Sequence, residues 1–365
     1  MKQILFCLML SASVFATTQA QQKGFVIKGC LPGMKDGVNV ALLSDENRDK
    51  GVIAETTAKN GCFELRGKVE HPELCTLTTN NLALRDMQTV KDSIHWTYTS
   101  VFVDNVEMMV QAPNYADVPL DKPISDKFQV TGGSVQNDFN AYNRALYALG
   151  NNRNSEEATD SLKWGFITDH PQSVVSVYFA NQLLQRGYNL TSAQIDLLDK
   201  TITAVPADTV RFNEFRRNMQ YARLTAIGAP LVDLELADEN GKIAHLKDIV
   251  PKGKFVLIDF WANWCGICIA SMPEIQELQK KYSPQLAVIG VSCDQKTEAW
   301  KNAMAKHPEP WPQFILTKKG YQDFFNKYHV GNGVPYYTLI APDGKVMKAP
   351  NFPSEIDKIL QFYNR

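Results

Sequence analysis

Seven cysteines in 365 residues are too few for a disulfide-dense scaffold, so each needs a reason of its own. The chain also lacks a surplus of either charge: 38 Lys and Arg stand against 39 Asp and Glu, a formal net charge of −1. Non-specific hold on nucleic acid or anionic lipid needs a basic excess, so neither is an expected partner. Beyond the first residues no run approaches the roughly 18 uninterrupted apolar residues of a membrane span, which argues against stable membrane insertion. The six histidines (His71, His95, His170, His245, His307 and His329) never occur at metal-ligand spacing and read as surface or packing residues; no metal is expected. Phosphate-loop, zinc-protease and nucleophile-elbow patterns are absent as well. What is present is apolar material for packed cores, with 44% hydrophobic and 10% aromatic residues, and a length that predicts two or three domains.

Lys2, the apolar run from Ile4 to Leu10 and its weak continuation to Ala16 lead to small residues at Thr18 and Ala20. That is the pattern of a cleavable signal peptide over residues 1–20, and it predicts export to a periplasmic, oxidising compartment. Cys7 sits inside the apolar run, badly flanked for lipidation, and reads as filler.

Residues 21–132 predict a small antiparallel β-domain. Short β-rich runs begin at Phe25, Val38, Gly51, Cys62, Cys75, Val101 and Met108, and Gly33, Asp36-Gly37, Asn60-Gly61 and Asp104-Asn105 supply turns between them. The polar stretch from Asn80 to Ser100 reads as a loop or insertion. Over residues 133–226 the period changes to three and four, as in Phe139, Tyr142, Leu146 and Leu149, in Val174, Val177, Tyr178, Asn181 and Leu184, and in Ile195, Leu198 and Ile202. Phe215, Met219, Leu224 and Ile227 predict one more helix of this segment. From 227 to 365 strands and helices alternate. A hairpin turning at Glu239-Asn240-Gly241 is followed by the apolar strand Phe255–Phe260, a helix over Cys265–Tyr282 and a strand over Leu286–Val291. Helices over Thr297–Lys306 and Tyr321–Tyr328, strands at Phe314–Leu316 and Tyr336–Ile340, and a closing helix over Ser354–Tyr363 complete a central mixed sheet with helices on both faces.

The chemistry concentrates at Cys265-Gly266-Ile267-Cys268, which follows a buried strand and opens a helix. Cysteines at i and i+3 share a helical face and can form and break a disulfide. Cys265 stands at the helix N-terminus, where unpaired N–H groups favour the thiolate, the attacking species in thiol–disulfide exchange. Its pKa is expected to fall from about 8.5 towards about 7 or below. Buried Cys268 is then the resolving thiol. A passive disulfide is the weaker reading because so small a loop stabilises little. A metal site is weaker too, since no second cysteine pair or spaced histidine pair completes four ligands. Asp259 lies in Phe255–Trp261, a run otherwise apolar on both faces. Burial there raises a carboxyl pKa, and a carboxylate so tuned can take the proton of the resolving thiol.

The run Asp259-Phe260-Trp261-Ala262-Asn263-Trp264-Cys265-Gly266-Ile267-Cys268, with Pro273 in the helix and Val334-Pro335 before a strand, resembles thioredoxin and its exported TlpA/ResA-like relatives. The resemblance covers roughly residues 227–365. It implies that Pro335 is a cis-proline packed beside the cysteine pair and that Val334 offers its backbone to an extended substrate peptide. It also implies that Trp264 shields the dithiol, with Gly266 and Ile267 completing the substrate-facing set. No cofactor beyond the redox-active Cys265–Cys268 pair is implied. Residues 24–131 and the helical segment resemble the region that precedes such domains in exported Bacteroidetes proteins. Two departures bear on mechanism. Ile267 stands where thioredoxin has proline, and Ser271 stands where ResA-type reductases carry a glutamate, while Asp259 is kept. The proton relay is therefore expected to be thioredoxin-like.

Cys293 reads as a small buried residue, and one structural disulfide among Cys30, Cys62 and Cys75 is possible without a sequence-defined pairing. The expected function is a periplasmic thiol–disulfide oxidoreductase acting on protein thiols and disulfides, a reductase before an oxidase. Exchangers span about −270 to −120 mV, so the motif leaves direction to the partner, a membrane electron donor or a re-oxidising protein. The competing expectation is an envelope adaptor whose dithiol is a minor redox activity or a Cu(I) site.

Overall fold

The computed structural model describes residues 24–46, 51–80, 97–118, 128–185, 190–328 and 333–363. The signal-peptide expectation, Cys7, His95, His329 and the Val330–Asn332 stretch lie outside them. The chain divides into two compact units, Met1–Arg144 and Ala145–Arg365.

In the first unit, strands β1 (Phe25–Cys30), β4 (Cys62–Gly67), β7 (Glu107–Gln111) and β8 (Gln129–Thr131) form one sheet in the order β4-β1-β7-β8. A second sheet orders β3 (Val52–Thr57), β2 (Asn39–Ser44), β5 (Glu73–Thr79) and β6 (Thr97–Val103) as β3-β2-β5-β6. β1, β4 and β7 alternate as half-buried strands must, whereas β2, β5 and β6 are buried at consecutive positions. Phe25 and Ile27 from β1, Phe63 and Leu65 from β4, and Val40 and Leu42 from β2 enter one shared core with Leu77, Val101 and Met108. The expected antiparallel domain is therefore a two-sheet arrangement with one parallel pair, because β1 pairs β7 in parallel from Val26↔Glu107 to Gly29↔Val110. The end of the expected Asn80–Ser100 loop is strand, since β6 begins at Thr97 and pairs β5 along its whole length. Helix α1 (Ser134–Ala148) follows, and the division between units falls within it.

The second unit holds α2 (Glu156–Asp169), α3 (Val174–Leu183), α4 (Ser192–Thr201) and α5 (Thr209–Thr225) together with a seven-stranded mixed sheet. Four side chains cap these helices, each accepting from a first-turn N–H: Ser155, Ser173, Thr191 in a capping box with Gln194, and Asp208. The last expected apolar face is shorter than its spacing predicts, for Phe215 and Met219 are buried, Leu224 is exposed and Ile227 lies beyond the end of α5.

The sheet contains β9 (Glu235–Ala237), β10 (Ile243–His245), β11 (Phe255–Trp261), β12 (Leu286–Ser292), β13 (Gln313–Leu316), β14 (Tyr336–Ile340) and β15 (Val346–Lys348) in the order β10-β9-β13-β12-β11-β14-β15. The central β11, β12 and β13 run parallel, and β9 and β14 pair antiparallel with β13 and β11. Helices α6 (Leu246–Ile249), α7 (Gly266–Lys281), α8 (Thr297–Lys306), α9 (Lys318–Lys327) and α10 (Pro353–Tyr363) complete the alternation. Val256, Ile258 and Phe260 share a cluster with Phe324 of α9 on one face. On the other face Leu257 joins Ile275 and Leu278 of α7 and Ile356 of α10. Burial on both faces explains why β11 reads as a nearly unbroken apolar run.

Candidate active site

The carboxyl end of β11 turns through Ala262-Asn263-Trp264 into α7, and Cys265 is the N-cap of that helix. The turn is held by Asp294, a residue just past β12 and 3% exposed. Its Oδ2 accepts the Asn263 backbone N–H at 3.0 Å and the Ser292 hydroxyl at 2.8 Å, and its Oδ1 accepts the Asn263 side-chain amide. Cys293 N–H donates to the Trp261 carbonyl at 2.7 Å, carrying the β11–β12 ladder to the edge of the site.

Cys265 and Cys268 are joined as a disulfide, and Sγ of Cys265 accepts the Cys268 backbone N–H at 3.2 Å. When the bond is open, that N–H and the helix N-terminus face any charge on Cys265. Cys265 is 7% exposed and Cys268 1% exposed, so attack from outside reaches the first sulfur before the second. Around them the surface is apolar and open: Trp264 is 65% exposed and Ile267 72% exposed, with Gly266 exposed between the cysteines. Val334–Pro335 is a cis peptide, and the Val334 carbonyl oxygen lies 3.6 Å from Cys265 Sγ. Gly333 at φ 92° brings its Cα side within van der Waals range of the Trp264 ring, 3.9 Å from where a Cβ would stand. Val334 thus packs against Cys265, and Trp264 and Ile267 stand exposed on the same turn of chain.

Asp259 is two residues before Trp261, so strand alternation turns both to the face covered by α7. Trp261 shares a cluster with Cys268 and Met272, and Leu257 shares one with Ile275, which places the Asp259 side chain under the first turns of the cysteine helix. It is 1% exposed, and neither carboxyl oxygen has a hydrogen-bond partner among the described residues. Burial pushes its pKa from the usual carboxylate range up to about 7, and the negative charge of Glu309 adds to the rise. Glu309 is itself pushed up by burial and accepts from Gln276 of α7 at 2.9 Å. Ser271, at the position of the family glutamate, donates to the Cys268 carbonyl and shares a 2.8 Å hydrogen bond with the Tyr337 hydroxyl.

Five residues here were not singled out from the sequence. Tyr337 and Gly290 are the register partners of Asp259 on its two flanking strands. Glycine at 290 leaves room for the Gln313 side chain, whose Oε1 fills the place a Cβ would take and accepts the Trp261 indole N–H at 3.0 Å. Asp294 and Glu309 complete the set; the signal for Asp294 is a lone acid directly after the apolar run that ends at Cys293. Cys293 is free and buried, and burial together with Asp294 and Asp259 pushes its thiol well above the ordinary value, so it stays neutral. Cys75 is buried with its thiol directed at the Glu73 carbonyl, whereas Cys30 and Cys62 are joined as a disulfide.

Residues 253–346 match a family model described as thioredoxin-like, and residues 25–139 match a domain of unknown function, DUF4369. The thiol-disulfide oxidoreductase ResA of Bacillus thuringiensis is 34% identical over 123 residues, which are 33% of this chain and 68% of that protein. The thioredoxin-like protein YneN of Bacillus subtilis is 35% identical over 101 residues, 27% of this chain and 58% of its own. Among solved structures, the thioredoxin domain of a thiol-disulfide oxidoreductase from Bacteroides vulgatus is 27% identical and covers 38% of this chain and 97% of that one, with a TM-score of 0.35. The chain belongs to the thioredoxin-like family of ResA-type thiol-disulfide oxidoreductases.

Proposed function

We propose that this oxidoreductase works outside the cytoplasm and exchanges disulfides with protein substrates, running as a reductase through Cys265 and Cys268. The observation that carries the reading is the asymmetry of the pair: one sulfur at a helix N-terminus beside the exposed Trp264 and Ile267, the other buried on the face of the sheet that holds the Asp259 carboxyl. An extended peptide lying along Val334 meets Trp264 and Ile267 as walls and brings its disulfide to Cys265. The Cys265 thiolate attacks one substrate sulfur and the other leaves, giving a mixed disulfide. Cys268 loses its proton to the Asp259 carboxylate and attacks Cys265 Sγ, which releases the substrate as a dithiol and closes the Cys265–Cys268 bond. Two electrons have moved to the substrate, so each turnover needs a dithiol donor, which we assign to a membrane thiol carrier. The leader pattern of residues 1–20 and the bonded Cys30–Cys62 pair support an oxidising compartment.

Reduction of insulin by dithiothreitol is the test. The full chain is expected to accelerate it catalytically, and Cys265→Ser to return the rate to that of dithiothreitol alone. A wild-type chain that leaves the rate unchanged would remove the reductase assignment.

A further inference from the structure

The Cys30–Cys62 disulfide takes no part in the reaction above, and its setting differs from that of a bond buried in a core. Along β1 and β4, Phe25, Ile27, Phe63 and Leu65 point inward, which leaves Lys28, Cys30, Cys62, Glu64 and Arg66 on the outer face. Cys30 is exposed and Cys62 half-buried. The two are register partners at the end of a ladder that already fixes β1 against β4 through six positions. Leu31 N–H donates to the Gly61 carbonyl at 2.8 Å, so the neighbouring Cys30–Cys62 position is a non-hydrogen-bonded one, where opposed side chains approach most closely. A sulfur–sulfur bond there adds no register that the backbone lacks, and it faces solvent.

The turn before β4, with Asn60 at φ 53° and Gly61 at φ 73°, sets Lys59 opposite Cys62 in an antiparallel bridge. Lys59 N–H donates to the Cys62 carbonyl at 2.9 Å and Cys62 N–H to the Lys59 carbonyl at 3.0 Å. Directly opposed residues share a face, so the exposed Lys59 side chain leaves the ladder on the same face as the Cys62 sulfur. The other charges of that face are engaged with one another: Lys28 with Glu107 at 2.6 Å, and Arg66 with Glu64. A cation beside a thiol favours the thiolate, and a sulfur that leaves as a stabilised thiolate leaves faster.

We propose that Cys30–Cys62 is a second exchangeable disulfide, opened by dithiols that include the reduced Cys265–Cys268 pair of another copy of this chain. The donor thiolate attacks the exposed Cys30 Sγ, the bond to Cys62 breaks, and Cys62 departs as a thiolate beside Lys59. The second donor thiol gives up its proton and attacks the first donor sulfur, which frees Cys30. The donor ends as a disulfide, Cys30 and Cys62 end as thiols, and the two electrons and two protons of the donor account for the change. The first arm of this proposal needs only a dithiol; the second rests on the function proposed above.

The test uses the full chain carrying Cys265→Ser and Cys268→Ser, held folded in a series of dithiothreitol buffers, quenched by alkylation and read by peptide mass. Cys30 and Cys62 are expected to open and reclose reversibly with the circular dichroism of the chain unchanged. Lys59→Gln is expected to slow opening several-fold at pH 7, and Lys59→Arg to restore it. A bond that stays closed at dithiol concentrations that fully reduce Cys265–Cys268 in the wild-type chain, and opens only with unfolding, overturns the proposal. For the second arm, reduced Cys268→Ser chain is mixed with the oxidised double variant, and a Cys265–Cys30 crosslink is expected. Capture of insulin without capture of Cys30 overturns the donor assignment and leaves the proposed function standing, whereas capture of neither overturns both.

Discussion

Replacing Cys268 with serine will leave Cys265 joined to its protein target, and release of that mixed disulfide will slow by at least about a thousand-fold. The magnitude follows from proximity. A resolving thiol held one helical turn away acts at an effective concentration of about 10⁵ M or more when well oriented, against about 1 mM for an external thiol, so even a poorly oriented pair exceeds the stated factor. The structure supplies the orientation: the two sulfurs are within bonding distance, and the Cys265 sulfur already accepts the Cys268 N–H. Because Cys268 is 1% exposed, the variant removes the inner sulfur without altering the exposed surface of Trp264 and Ile267. Single-turnover reaction with a disulfide-bonded peptide, quenched in acid and resolved by mass, measures the decay of the adduct. Decay at the wild-type rate would mean that some other group resolves it.

Asp259→Asn will change both rate and stability, and pH separates the two. A carboxyl that titrates at about 7 in the folded chain, against 3.8 when exposed, is ionised in the unfolded chain and neutral in the folded one between those values. The folded state therefore binds the extra proton in that window. The stability this protonated carboxyl permits is fully present below about pH 4 and is lost as pH rises through about 7, a fall of about 4 kcal/mol. Asparagine keeps the shape and does not titrate. The difference in unfolding free energy between wild type and variant is thus expected to shift by about 4 kcal/mol in favour of the variant between pH 4 and pH 8, measured by denaturant titration of the oxidised chain. Parallel curves for the two proteins would contradict the burial argument. In the reaction, loss of the base is expected to slow resolution by about 10² or more at pH 7, and to remove the inflection near that pH from the rate profile.

What the sequence made legible here is what the chain carries contiguously. Asp259 through Cys268 is a single strand–turn–helix passage, so spacing alone places a nucleophile, a resolving thiol and a buried acid near each other. Strand and helix positions from Phe255 onward follow from apolar runs long enough to declare themselves, and β14 matches its expected Tyr336–Ile340 bounds. Partners that arrive through register are another matter. Gly290, Gln313 and Tyr337 meet Asp259 and Trp261 only because β12, β13 and β14 pair as they do, and no local pattern in those strands encodes the pairing. Cys30 and Cys62 are joined for the same reason, through the β1–β4 ladder. Helix α2 escaped the periodicity because Phe166 and Ile167 are its only buried residues, too few to mark a face. β8 is three residues long, below the length at which alternation can be read.

Exchange turns on Cys265 being the thiolate that attacks, and its alkylation by iodoacetamide in the reduced chain, followed residue by residue across pH, tests that most directly. Cys265 is expected to react first, with a midpoint at least about one pH unit below the ordinary thiol value near 8.5, while Cys268 reacts slowly because it is buried. Modification of Cys268 before Cys265, or a Cys265 midpoint at the ordinary value, would contradict the assignment.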